Sequence, residues 1–234
     1  MGLAGRKSPS VLVDEQPKKR GRGRPPRDAA VPVEATRDRL LDAAIDMFSR
    51  YGYDPVSTGA VADAAGLTQS MVHYHFGSKD ALWRAAIERL MRRRGRAFPV
   101  SRLELRDVDP MTRLKILIRR LIEANAAEPN YVRIVLHEAM ANTPRLDWLM
   151  ERYIADGFAA FNSAIREAID AGLIRPLPVH DITSIATSVS FLTFSIGEVT
   201  RRVYDTDLTS DEHVQSLSDS IITTLFAGLQ IKKD

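Results

Sequence analysis

The chain contains no cysteine. That excludes a disulfide framework, a cysteine zinc ribbon and a thiol nucleophile, and a reducing cytoplasm is the expected setting. Aromatic residues are few, 7% of 234 residues. No apolar run approaches the ~20 residues that span a bilayer, so no membrane partner is expected. The opening "MGLAGRKSPSVLVDEQ" has no apolar core of signal-peptide length, and export is not expected. A nucleophile–base pair, a metal-ligand set, a placed pair of carboxylates and a Gly-rich phosphate loop are missing as well, so the sequence does not read as an enzyme. No cofactor or metal is expected. His73 and His75 are spaced i,i+2, which on a helix points them to different sides and leaves them without a third ligand. Period-2 segments and internal repeats are also missing.

What is present begins with charge. The net charge of +3 conceals an asymmetry, because residues 1–30 hold eight Lys/Arg against three Asp/Glu and the other 204 hold 25 against 27. A basic arm for an anionic partner therefore precedes a nearly neutral body. Residues 1–33, dominated by Pro, Gly, Arg and Lys, are expected to be disordered. At Glu34 the pattern changes: Leu40, Leu41, Ala44, Ile45, Phe48 and Tyr51 fall at helical spacing, and Gly52 ends the run. Apolar-periodic segments follow at about 57–65, 69–76, 79–97, 111–127, 129–141, 145–171, 180–203 and 211–229. The expected fold is all-α with about nine helices. Residues 34–80 form a compact three-helix unit, the helix at 79–97 connects, and residues 98–234 form a helical bundle for effector binding and dimerisation.

The stretch "VSTGAVADAAGLTQSMVHYHFGSKDAL", residues 56–82, carries the chemistry. Ser57 can cap a short helix, Gly66 permits the positive φ that ends it, and Thr68 is placed to cap the next. Two short helices joined by a glycine-containing turn describe a helix-turn-helix. The second helix buries Val72 and Phe76 and leaves Gln69, Ser70, Met71, His73, Tyr74 and His75 largely outward. Gln can read adenine, Ser several base edges, and Met a thymine methyl. Thr68, Tyr74 and Lys79 are placed to hold phosphates.

The segment from Thr36 to Ile87, with "LLDAAIDMFSRYGY", "STGAVADAAGLT", "HYHF" and "GSKDAL" in order, resembles the DNA-binding domain of the TetR/AcrR family of bacterial transcriptional repressors. The resemblance covers about residues 36–90. It implies that 69–75 is the recognition helix, that Thr68, Tyr74 and Lys79 contact the DNA backbone, and that Ser57 caps the preceding helix. The chain departs from the family at His73, where Tyr is frequent, at Gly59, where a longer polar side chain is common, and at Gln69 and Met71, which replace Lys and Thr. "RGRP" at 22–25 resembles the core of an AT-hook, which implies that Arg22 and Arg24 enter an A·T-rich minor groove.

In the body, the run Arg92–Arg96 reads mainly as a solvated face. The span from Tyr131 to Ile165 mixes aromatics with isolated polar groups, the usual chemistry of a small-molecule site. The effector candidates there are Arg133, His137, Asn142, Trp148, Tyr153, Phe158, Phe161 and Asn162. The last two long segments carry apolar residues on more than one side, which suggests a dimer interface of two helices per subunit. Its candidates are Ile185, Val189, Phe191, Leu192, Phe194 and Ile196 on the first, and Leu217, Ile221, Ile222, Leu225 and Phe226 on the second. The expected function is a homodimeric, ligand-responsive repressor on a palindromic operator in double-stranded DNA, cytoplasmic and nucleoid-associated, with an unknown small-molecule effector. The alternative is an architectural DNA-binding protein that needs no effector.

Overall fold

Leu40, Leu41, Ala44, Ile45 and Phe48 lie on one face of the first helix, α1 (Val33–Tyr51), and all five are buried. This computed structural model describes residues 33–97, 105 and 107–229. The basic arm, with Arg22 and Arg24, lies outside the described residues. Gly52, at φ +77°, ends α1 by turning its N–H onto the Phe48 carbonyl, a conformation that only glycine adopts without strain.

Three helices follow in quick succession: α2 (Thr58–Ala64), α3 (Gln69–Phe76) and α4 (Lys79–Ala97). The body comprises α5 (Pro110–Ala127), α6 (Pro129–Ala141), α7 (Pro144–Leu149), a π-helical turn (Met150–Ile154), α8 (Ala155–Asp170), α9 (Val179–Ser195), α10 (Gly197–Tyr204) and α11 (Asp211–Leu229). No strand occurs among the described residues. No single described helix is long and apolar enough to cross a membrane. Local chemistry sets several boundaries. Asp109 caps α5 by accepting from the Thr112 N–H at 3.0 Å, and prolines start α5, α6 and α7, where a missing N–H costs nothing.

Two expected helices are interrupted. The segment 145–171 contains the π-helical turn, and 180–203 breaks at Ile196 with a 67° bend. Thr193 and Ser195 each donate a hydroxyl back to the carbonyl four residues earlier, at 2.7 Å, which competes with the backbone ladder and favours a bend. Gly197 follows, and a Cβ there would stand 3.2 Å from Leu208 Cδ1, so the bend also lets the chain pass close to the α10–α11 loop.

One apolar core runs through the whole unit. α1 packs on α4 and α6, α5 lies against α8, α9 and α11, and α9 also touches α6 and α8. Polar links reinforce the junction of α1 and α4: Arg89 donates to Asp38 at 2.8 Å and to Asp42 at 2.9 Å, and Arg93 also bonds Asp42. Burial raises the Asp42 pKa, but the hydrogen bond from Arg89 and the charge of Arg93 outweigh it, and the carboxyl sits below its ordinary value. The stability from these pairs is present above the ordinary carboxylate value and is lost as pH falls from that value through the lowered one. A second junction centres on buried Glu138 of α6. It accepts from Thr143 at 2.5 Å and from Arg145 at 3.1 Å, and the Arg145 guanidinium lies 3.7 Å over the Tyr53 ring in the α1–α2 loop.

Candidate nucleic-acid interface and effector cavity

Ser57 sits in extended backbone and its hydroxyl accepts the Ala60 N–H at 3.0 Å, so α2 starts with a side-chain cap. At the other end Gly66, at φ +66°, sends its N–H to Asp63 and lets the Leu67 N–H reach Ala62. The chain then re-enters a helix within two residues. The positive φ is what favours glycine there; the nearest group to a Cβ would be the mobile end of Arg39, which donates to the Ala65 carbonyl.

α3 hangs on one buried side chain, Val72. Thr68, Gln69, Ser70, His73 and Tyr74 are exposed, and Tyr74, at 76%, is the most exposed large apolar-bodied residue among those described. Four expectations need correction. Thr68 occupies the N-cap position, yet its hydroxyl pairs with Ser70 Oγ at 2.8 Å instead of a backbone N–H. Met71 is half-buried and packs on the core beside Val72, while Phe76 is only half-buried under the Arg37 guanidinium at 5.4 Å. His75 is half-buried, with Nε2 enclosed and without a hydrogen-bond partner. Gln69 does not stand free: its amide donates to Thr58 Oγ1 at 3.1 Å and lies 3.6 Å from the Cβ position of Gly59. Lys79 is half-buried, donates to the Asp54 carbonyl at 3.1 Å, and rests 4.2 Å over Tyr53. Burial lowers its pKa, with Asp54 opposing.

Behind this unit lies a cavity of about 400 Å³. α4 supplies Met91, Arg94 and Gly95 to its wall, α5 supplies Leu117 and Leu121, and α6 supplies Tyr131. The π-helical turn and α8 add Tyr153, Ile154, Asp156, Gly157, Phe158, Ala160 and Phe161, and α9 adds Thr187 and Phe191. Arg94 is enclosed, its Cζ 4.2 Å over the Tyr131 ring and its Nη1 without a hydrogen-bond partner.

Comparison with known proteins agrees with this geometry along most of the chain. Residues 40–86 match the model "Bacterial regulatory proteins, tetR family", and residues 110–225 match "Tetracyclin repressor-like, C-terminal domain". The chain belongs to the TetR family. It is 28% identical over 114 residues to the transcriptional regulator RutR of Escherichia coli, a match that covers 49% of this chain and 52% of RutR. The chain therefore spans about half of RutR's length. It is 26% identical over 164 residues to the repressor SCO4008 of Streptomyces coelicolor, covering 69% of this chain and 80% of that one. Among solved structures, HlyIIR, a haemolysin II transcriptional regulator, aligns with a TM-score of 0.64 at 17% identity over 86% of this chain and 99% of its own. KstR2 of Mycobacterium tuberculosis aligns at 0.63 and 22% identity, covering 84% and 95%. Both likenesses show the fold.

In this TetR-family chain the effector candidates divide. Tyr153, Phe158 and Phe161 line the cavity. Trp148 packs between Trp83 and Tyr153, 5.6 and 5.5 Å away, and belongs to the core. Arg133 and His137 line a shallower depression shared with α1 and the α9–α10 bend. Asn142 is the exposed left-handed cap that ends α6, and Asn162 accepts from Thr183 at 2.6 Å. Of the dimer candidates, Phe194 and Phe226 are buried within the bundle, and Phe191 faces the cavity, edge-on to Tyr131. Those three cannot form an outer surface. Ile185, Val189, Leu192 and Ile196 are exposed, and Leu217, Ile221, Ile222 and Leu225 are half-buried against the core.

Sequence reasoning missed Arg94, which it placed on a solvated face. A signal was available. Trp83, Ile87 and Leu90 form the buried stripe of α4, and Arg94 continues it four residues on.

Proposed function

We propose that this chain is a sequence-specific DNA-binding transcriptional regulator, a homodimeric repressor released from a palindromic operator by a small molecule. The observation that carries this reading is the exposed polar face of α3, presented by a Ser57-capped helix and a Gly66 turn inside a TetR-family domain. Gln69, Ser70 and His73 are the base-reading side chains, and Thr68, Tyr74 and Lys79 hold the flanking phosphates. The division of labour places DNA recognition in 34–80 and effector binding and dimerisation in 98–234, in a cytoplasmic, nucleoid-associated protein.

The apolar stripe of α9, Ile185, Val189, Leu192 and Ile196 at 41–56% exposure, supports a dimer, because an exposed apolar helix face of this kind marks an interaction surface. A two-fold mate there would set two α3 helices about 34–36 Å apart, one turn of DNA. Leu192→Glu is expected to halve the sedimentation mass while leaving the helical content unchanged. An undiminished mass would move the interface elsewhere.

The cavity supports a ligand-driven switch, since α4 both lines it and packs on α1. The effector must favour one arrangement of α4 over the other, or it shifts nothing. The basic arm supports the second reading, an architectural protein that needs no effector, and also an accessory role beside a specific reader. Removing residues 1–30 is expected to lower the slope of log affinity against log salt by several units, at about 0.9 for each phosphate that is no longer neutralised. An unchanged slope removes the arm from the interface. Selection of bound DNA from a random pool, by the full chain and by one beginning at Val33, tests the function itself. Enrichment of a palindrome by both is expected; broad A·T-rich recovery favours the architectural reading.

A further inference from the structure

Arg94 is the only cationic side chain in the cavity wall among the described residues, and its Nη1 is enclosed without a hydrogen-bond partner. Met91, Leu117, Leu121, Phe158, Phe161 and Phe191 offer carbon surface, and Thr187 gives its hydroxyl to the Thr183 carbonyl at 2.8 Å. Asp156 belongs to the exposed rim, while Arg94 lies inside on the Tyr131 ring. A guanidinium stays protonated at any physiological pH, so enclosing one without a hydrogen-bonded carboxylate is costly. Burial is the main influence on Arg94, pulling its pKa down, with Tyr131 and Glu128 opposing. Such a charge is tolerable when a ligand supplies the missing anion.

We propose that the cavity binds a monocarboxylate with an otherwise apolar body, its carboxylate held by the Arg94 guanidinium and its body by the aromatic and aliphatic wall. One guanidinium matches one planar carboxylate through two parallel hydrogen bonds, whereas a dianion would need a second cation that the described wall residues do not supply. The volume of about 400 Å³ is that of a small-molecule site. Gly95 and Gly157, where an added Cβ would meet nothing within 4 Å, keep part of the wall open. The inference rests on the reading of the bundle as the effector domain and names the chemical class of that effector.

The test is direct calorimetric binding to the full chain, without DNA. The probes are straight-chain carboxylates from hexanoate to dodecanoate and phenyl-substituted carboxylates from phenylacetate to phenylbutyrate, each with its primary amide. At least one acid is expected to bind at least about 10-fold tighter than its amide, the value of a charge-assisted hydrogen bond. Arg94→Gln should erase that preference, and Arg94→Lys should retain part of it. Without ligand, Arg94→Gln should melt no lower than the native chain, because it removes a charge that burial disfavours and no hydrogen-bonded carboxylate offsets; a lower melting temperature would assign Arg94 a structural role and overturn the proposal. Binding by no acid, equal binding of acids and amides, or an acid preference that survives Arg94→Gln would overturn it as well. DNA selection is scored separately, so a failed ligand class leaves the regulator reading standing.

Discussion

Trp83→Ala is expected to lower the unfolding free energy by about 4 kcal/mol, as large-to-small aromatic truncations in cores do. Trp83 is fully buried on α4, edge-on to Tyr53 at 6.3 Å and tilted against Trp148 at 5.6 Å. It therefore joins three parts of the chain: the α1–α2 loop, the connecting helix and α7. Those neighbours are themselves pinned. Tyr53 is covered by Lys79 and Arg145, and Trp148 by Arg84 at 5.0 Å, so the site cannot collapse freely into the space an alanine would leave. The indole N–H is buried without a partner, which makes Trp83→Phe far milder: it keeps most of the aromatic packing and removes an unsatisfied donor. Chemical denaturation of the full chain separates the two substitutions. Equal losses would mean that the aromatic packing at this junction does not carry its stability.

The double substitution Gln69→Ala, Tyr74→Ala is expected to weaken binding to the selected DNA site by about 100-fold, from roughly 1–3 kcal/mol for a base-reading amide plus a smaller phosphate contribution. Both side chains are exposed, so stability should change by no more than about 0.5 kcal/mol. Gln69 contributes in a particular way. In the free chain its amide is already held by Thr58, which orders it before DNA arrives. Gln69→Ala alone should relax the base preference at one position, whereas Tyr74→Ala alone should weaken all sequences evenly. Fluorescence anisotropy at one fixed salt concentration measures both effects. A double variant that binds like the native chain would remove α3 from the major groove.

The helix-turn-helix was legible because its signals are local. A cap at Ser57, a φ-positive glycine at 66 and the apolar spacing of α1 require no knowledge of distant contacts. The bend at Ile196 was not legible: it needs hydroxyls at Thr193 and Ser195 to favour their own backbone, and the passage of Gly197 beside Leu208, which is a tertiary event. The apolar stripes of α9 and α11 were visible, but which face turns inward depends on α5, α6 and α8. Hence Phe194 and Phe226 joined the dimer candidates although the bundle buries them. Arg94 was hidden by its company. Within Arg92–Arg96 it is the residue in register with Trp83, Ile87 and Leu90, and composition reads the run as surface whereas register places this one side chain inside.

Sequence reading by α3 is what separates a specific regulator from a protein held to DNA by charge alone. The most direct measurement is the ratio of affinities of the full chain for its selected palindrome and for a scrambled duplex of the same composition, at physiological salt. A ratio of at least about 10³ is expected, the lower end for specific regulators. A ratio near one would contradict it and leave only the sequence-independent attraction of a basic arm.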